Sequence, residues 1–378
     1  MERKPKGSGS VRQRSNGTWE ARCMLNGKMQ SFYGKKQADV IKAMRSAQTK
    51  ADEGRHFEPA RVSLSSWLDT WISEYIEPSA KPLTVATYKS RIESHIKPNI
   101  GDIKLSALNP TQIQRFYNDL VRLKDLSPKT VKNIHGILHK ALEQAIKLQY
   151  ILVNPCEACT LPRIIKKEIK PLTEQECTRF LEEAENSTLY NLFMVAMFTG
   201  MREGEICGLP WDAINIRDET ITIKQQLLKE KKKGGQHYID SPKNDRTRVI
   251  TIPPFIIDIL KKIKKQQSAD NLIFGFEYKN EFNLVFTDPM GNFIKPQTAL
   301  KTFKRIATKI GRPDARFHDL RHTYAVNALQ EGDDVKTVQQ NLGHATASFT
   351  LDVYGHVSEK MKKESAARMQ TYFEKIKA

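Results

Sequence analysis

Two stretches near the C-terminus hold side chains that could do chemistry together. HDLRH, His318 to His322, supplies His318 and Arg321; NLGHATASFTLDVYGHV, Asn341 to Val357, supplies His344 and Tyr354. A tyrosine hydroxyl, with a pKa of about 10, attacks most substrates poorly. It becomes a sensible nucleophile when the target is a phosphodiester and cations stand ready for the charge that develops. Arg202, in MREGEICGL, has Glu205 three positions on, where a carboxylate can hold its guanidinium. Lys243, in SPKNDRTRVI, falls in a polar turn before a strand. Each residue alone also has a plain reading. Arg202 with Glu205 could be a surface pair, and His318 with Arg321 a solvated pair on one helical face. His344 could bond free carbonyls behind Gly343, Lys243 could be one exposed lysine among many, and Tyr354 a half-buried aromatic.

The composition agrees with a phosphodiester target. In 378 residues, 61 Lys and Arg against 43 Asp and Glu leave a net charge of +18, which calls for a polyanionic partner, nucleic acid before a membrane surface. This length accommodates two or three domains. No apolar run approaches the roughly 20 residues that span a bilayer. The basic start MERKPKGSGSVRQR lacks the apolar segment of a signal peptide, so the expected location is the cytoplasm. Five cysteines do not suggest a disulfide framework. Cys156 and Cys159 form a lone CxxC without the second pair or spaced histidines that zinc would want, so two reduced, half-buried thiols and no metal are expected.

These groups need a scaffold, and the chain divides into three stretches. Residues 1–57 read as a small α+β module: strands at Ser10 to Arg14, Thr18 to Leu25 and Lys28 to Tyr33, then a helix from about Lys36 to Asp52. Asn16-Gly17 and Asn26-Gly27 are hairpin signals between the strands. Arg12, Arg14, Arg22, Lys28 and Lys35 would gather around this sheet, which is of a size to enter a DNA major groove. Residues 62–160 read as all-helical. Leu64, Trp67, Leu68, Trp71, Ile72 and Tyr75 share one helical face, Tyr88, Ile92 and Ile96 a second, and Ile113, Phe116, Tyr117 and Leu120 a third behind Pro110. Ser127-Pro128 is a cap with a first-turn proline before Val131, Ile134, Leu138, Leu142 and Ala145. The aromatic stripes are core, so DNA contacts here would come from polar faces carrying Lys89, Arg91, Lys129, Lys132 and Lys140.

LPRIIKKEIKPL, Leu161 to Leu172, reads as a linker, and Thr173 with Glu176 as a capping box that opens a mixed α+β domain over residues 172–378. A helix through Leu189, Leu192, Phe193 and Ala196 ends near Gly200. Strands are expected at Ala213 to Ile216, Thr220 to Lys224 and Thr247 to Ile252. Helices are expected from Pro254 to about Gln267, Lys295 to Ile310, Leu320 to Glu331 and Val335 to Leu342, the last stopped by Gly343. A basic helix from Ser358 to Ile376 carries Met361, Met369, Tyr372 and Phe373.

MREGEICGL, SPKNDRTRVI, HDLRHTYA and LGHATASFTLDVYGHV, in this order, resemble the tyrosine recombinases, the phage-integrase family, and most closely the integrases of conjugative transposons and Gram-positive phages. The resemblance implies an arm-type DNA-binding domain, a helical, SAM-like core-binding domain and a catalytic domain. It implies a recombinase that integrates and excises a mobile element in a bacterial host, at its nucleoid, through a 3′-phosphotyrosine.

By the same resemblance Tyr354 is the nucleophile, and Arg202 and Arg321 bind the non-bridging oxygens. Lys243 protonates the departing 5′-oxygen, His318 assists proton transfer or supports the phosphate, His344 donates to a phosphate oxygen, and Glu205 orients the site. No cofactor is implied, and the chain shows no P-loop and no carboxylate cluster suited to Mg²⁺. The implied partners are double-stranded DNA at core and arm sites and further copies of the chain in a tetramer, with the tail helix packing on a neighbouring protomer or on its own domain. There is room for an excisionase and a host DNA-bending protein. Two other readings use the same residues: a regulator that binds DNA without cutting it, and a type IB topoisomerase. A retained Tyr354 speaks against the first, and a dedicated N-terminal module against the second.

Overall fold

The computed structural model describes residues 9–25, 28–52, 62–165, 170–230, 234–242, 246–343 and 359–377. The chain divides into two compact units, Met1–Ile165 and Lys166–Ala378.

The first unit holds two separate hydrophobic clusters. One lies under an antiparallel sheet of β1 (Ser10–Gln13), β2 (Trp19–Leu25) and β3 (Lys28–Gly34), in that spatial order, covered by α1 (Gln37–Asp52). Alternation along β2 sends Ala21, Cys23 and Leu25 toward Val40 and Met44 of α1 and leaves Glu20, Arg22 and Met24 on the other face. The first turn is longer than a two-residue hairpin: Gln13 pairs with Trp19, and Arg14 to Thr18 form the connection, with Gly17 at φ 77°. Asn26 and Gly27 lie outside the described residues.

The second cluster is helical throughout: α2 (Leu64–Trp71), α3 (Pro82–Arg91), α4 (Lys97–Ile100), α5 (Pro110–Arg122) and α6 (Pro128–Lys147). Ser63, Asn109 and Ser127 cap their helices through side-chain oxygens, as their residue types favour. Two π-helical turns, Ile72–Ile76 and Ile92–Ile96, extend α2 and α3. Each widening keeps successive isoleucines in the core, burying Ile72 with Ile76 and Ile92 with Ile96, while Tyr75 stays partly open. The indole N–H of buried Trp67 donates to the Ala141 carbonyl at 3.0 Å, tying α2 to α6. Cys156 is a free thiol buried beside the Tyr117 hydroxyl, and Cys159 is a half-buried free thiol.

In the second unit Thr173 and Glu176 form the expected capping box of α7 (Glu174–Ala184). α8 (Tyr190–Thr199) ends at Gly200, and α9 (Glu203–Cys207) follows at once. A three-stranded sheet runs β4 (Ile214–Asn215), β5 (Thr220–Ile223), β8 (Arg248–Thr251) in space. Between the last two lies a hairpin not foreseen from the sequence, β6 (Gln226–Lys229) with β7 (His237–Asp240). Its short strands flank a lysine-rich run and carry little apolar alternation, so periodicity gave no signal. α10 (Pro254–Phe274) continues seven residues past Gln267, because no glycine interrupts it before Gly275, at φ 55°. α11 (Pro296–Lys309) matches its pattern. α12 (Phe317–Gln330) starts three residues early, since Asp319 bonds back to the Arg316 N–H at 2.8 Å and caps the first turn. α13 (Val335–Leu342) stops at Gly343. The core joins Phe180, Phe193, Phe303 and Phe317 in edge and tilted ring contacts, locking α7, α8, α11 and α12. The C-terminal helix, Glu359–Lys377, closes the described chain. No helix among the described residues is long and apolar enough to cross a membrane.

Candidate active site

The site is built on two helix ends and one strand start. Gly200 at φ 63° lets α8 stop in the left-handed conformation and turns the chain straight into Met201-Arg202. A side chain there has no room: a Cβ would come within 2.6 Å of the Tyr324 ring and 2.8 Å of Leu342. Arg202 then caps α9. Glu205 accepts its backbone N–H at 2.9 Å and its guanidinium at 2.7 Å. The pair is not on the surface, because Glu205 is only 1 % exposed.

A second arginine completes this pair. Arg248, first residue of β8, donates to both oxygens of Glu205, at 2.9 and 2.6 Å, and its Nε donates to the Asn341 carbonyl at 2.8 Å. Burial would raise the Glu205 carboxyl. The hydrogen bonds and charge of Arg248, then the charge of Arg202, outweigh it and hold the group down to about 2. Glu205 is therefore a carboxylate at any working pH, fixed between two guanidiniums. The sequence reading assigned no role to Arg248. A signal was present, since the alternation that turns Ile250 and Ile252 inward turns Arg248 the same way, and an inward cation requires a counter-charge.

Arg321 on α12 is not part of a solvated pair. It is 2 % exposed, and its terminal nitrogens donate to the carbonyls of Gly200, at 2.8 Å, and Leu342. These are the last carbonyls of α8 and α13, left without helical partners where each helix ends. The same two helix ends thus fix Arg321 and, through the turn after Gly200, Arg202. Asn341 donates to the Tyr324 hydroxyl at 3.0 Å and braces α13 on α12.

His318 lies one turn before Arg321 and contacts the His322 ring edge-on, centroids 4.8 Å apart. Although part of its ring is open to solvent, desolvation by the surrounding protein, then His322, Arg321 and Arg202, push its pKa down to about 4. The imidazole is neutral at pH 7, able to accept one proton and donate another. His322 is buried, and desolvation pushes it to about 4 as well.

Of the predicted catalytic set, Arg202, Arg321, His318 and Glu205 are brought together. Lys243, His344 and Tyr354 lie outside the described residues; of their neighbours, Pro242 before Lys243 and Gly343 before His344 are described. Among the predicted DNA contacts, Arg12, Arg14 and Arg22 share the open face of the N-terminal sheet, around Glu20. Lys28 opens β3, with its side chain outside the described residues. Lys129 and Lys132 are exposed on α6, and Lys89 is exposed on α3 with its ammonium on Glu77 at 2.5 Å. For metals, the described residues offer His139, Glu143 and Glu157, whose donor atoms lie within 4.8 Å of one another. Glu143 accepts from the Asn154 amide at 2.8 Å.

Residues 170–361 match the model of the phage integrase family, and residues 63–121 match that of the phage integrase N-terminal SAM-like domain. The chain is 31 % identical over 368 residues to a protein named tyrosine recombinase XerC-like from Caldanaerobacter subterraneus, covering 92 % of this chain and 93 % of that one. It is 26 % identical to the ICEBs1 integrase of Bacillus subtilis, over 82 % of this chain and 85 % of the relative. In fold it is similar to the Tn1549 transposon integrase solved with transposon right end DNA (TM-score 0.69, 20 % identity, 82 % of this chain and 100 % of that one). It is similar also to lambda integrase solved as a dimer on a core site (TM-score 0.59, 21 % identity, 95 % and 99 %). The chain belongs to the phage integrase family and is a tyrosine-type DNA recombinase.

Proposed function

We propose that Tyr354 attacks a scissile phosphate of duplex DNA, forming a 3′-phosphotyrosine bond as the bond to the 5′-oxygen breaks. Lys243 gives its proton to the departing 5′-oxygen. Arg202 and Arg321 hold the non-bridging oxygens, a task that suits a planar guanidinium that never loses its charge. His318 takes or shares the tyrosine proton, and His344 donates to a phosphate oxygen. Glu205 acts through its neighbours, keeping Arg202 and Arg248 in place. Attack by the 5′-hydroxyl of another strand reverses the steps and reseals the DNA. The phosphotyrosine keeps the energy of the phosphodiester, so resealing requires no nucleotide.

The observation that carries this reading is the convergence of Arg202, Arg321 and His318 on the helix ends at Gly200 and Leu342, with a fixed carboxylate behind them. Fixed donors of this kind are the largest lever on a phosphoryl group that gains charge.

By likeness to its relatives, the protein inserts and excises a mobile element. Residues 1–57 bind arm sites, 62–160 bind core sites, and 172–378 cut and rejoin. A lambda integrase of similar fold is solved as a tetramer on a Holliday junction, and this chain assembles likewise. The C-terminal helix supports that: residues 366–377 are exposed, with Met369, Tyr372, Phe373 and Ile376 free of their own unit, as a helix docking on a neighbouring protomer requires. An excisionase and a host DNA-bending protein set direction. Strand exchange between two labelled duplexes tests the reading. Recombinant joints are expected; relaxation of supercoils without joints would favour a topoisomerase.

A further inference from the structure

The open face of the N-terminal sheet has an acidic centre. Glu20 is wholly buried, yet it lies on the side of β2 opposite the hydrophobic core, covered by arginines. Arg12 donates through Nε at 2.8 Å. Arg14 donates through Nε at 3.3 Å and Nη2 at 3.0 Å, and Arg22 through Nε at 2.9 Å with Nη2 at 2.9 Å. The Tyr33 hydroxyl donates at 3.0 Å, and the Arg14 guanidinium lies 4.8 Å from the Tyr33 ring centroid. The strand register makes this possible, because Arg12 and Tyr33 are the cross-strand neighbours of Glu20. The three arginine side chains still keep 59, 41 and 40 % of their surface open. Arg14 and Arg22 turn their Nε–Nη2 edge to the carboxylate and Arg12 its Nε, so no contact to Glu20 uses Nη1 of any of the three. The cluster carries three positive charges on one negative.

We propose that Glu20 is the positioning residue of this DNA-reading face: it holds Arg12, Arg14 and Arg22 in one array whose Nη1 groups engage guanine edges in a major groove. The inference rests on the reading that residues 1–57 bind DNA and names the residue that makes that binding selective. A free arginine spends rotamer entropy on every base it meets, whereas one held at Nε keeps a fixed donor pair that fits the N7 and O6 acceptors of guanine. Exposed Met24 and Met29, opposite one another on the same face, offer the apolar surface that thymine methyls want.

The test uses the full-length protein. A duplex enriched from a random pool by the wild-type protein, dependent on residues 1–57 for its selection, is compared with a scrambled duplex of the same length. Glu20→Gln should lower the affinity ratio between the two about tenfold or more. Binding to the scrambled duplex should hold or rise, because a negative charge has been removed. An unchanged ratio would overturn the proposal. So would a parallel fall in both affinities with loss of thermal stability, which marks a structural role only. Replacing Arg12, Arg14 and Arg22 together by Ala separates the two layers. If selective binding survives that change, the DNA-reading face itself is wrong; if it is lost while Glu20→Gln keeps the ratio, only the role of Glu20 is.

Discussion

At the residue scale, Glu205 is the joint of the catalytic unit. Removing one partner of a buried ion pair leaves an uncompensated charge, at a cost of about 3–5 kcal/mol. Glu205→Gln should therefore lower stability by roughly 3 kcal/mol in denaturant unfolding and slow single-turnover cleavage at least tenfold, with DNA affinity changed only a few-fold. His322 makes a second test. Its folded pKa of about 4 lies below the usual 6.5, so the unfolded chain takes the proton first as the pH falls. Against a side chain that does not titrate, His322 costs the fold nothing above pH 6.5 and up to about 3 kcal/mol as the pH falls from there toward 4. Thermal melts should show wild type losing stability relative to His322→Gln as the pH falls from 6.5 toward 4; an unchanged difference across that range would contradict the depressed pKa. Arg202, His318 and Arg321 were legible as one group, because arginines and a histidine at those spacings have few other joint uses; Tyr354 lies outside the described residues. Partners were less legible. Arg248 pairs with Glu205 of α9, 43 positions away, and Glu20 with Arg12 of the neighbouring strand, 8 positions away, and no local spacing announces such pairs.

At the element scale, two left-handed helix ends hold the arginines. Gly200→Ala forces both an unfavourable φ and a collision with the packed Tyr324 ring and Leu342. At Gly343 a Cβ would meet the Arg248 side chain at 2.9 Å instead of a packed ring. Gly200→Ala should cost more than about 2 kcal/mol, Gly343→Ala about 1 kcal/mol. Equal losses in denaturant titrations would show that the Tyr324 contact does not matter. The starts of α5, α6 and α7, marked by a cap or a first-turn proline, and both ends of α13 were readable to within a residue. The β6–β7 hairpin and the end of α10 were not, because charged, exposed segments take their structure from neighbours and from the absence of a breaker rather than from a pattern.

At the scale of the whole molecule, the proposed division is between a DNA-cutting unit and a module that chooses a second class of site. Deleting residues 1–57 should leave core-site cleavage within a few-fold and reduce integration strongly; integration at the wild-type level would refute the arm-site assignment. The central claim is the covalent step. It is tested most directly by incubating the protein with a labelled duplex nicked near the crossover, without added metal or nucleotide, and resolving the products on a denaturing gel. The account predicts a protein–DNA adduct for wild type and none for Tyr354→Phe, which should still bind the duplex. An adduct that persists in Tyr354→Phe would contradict it.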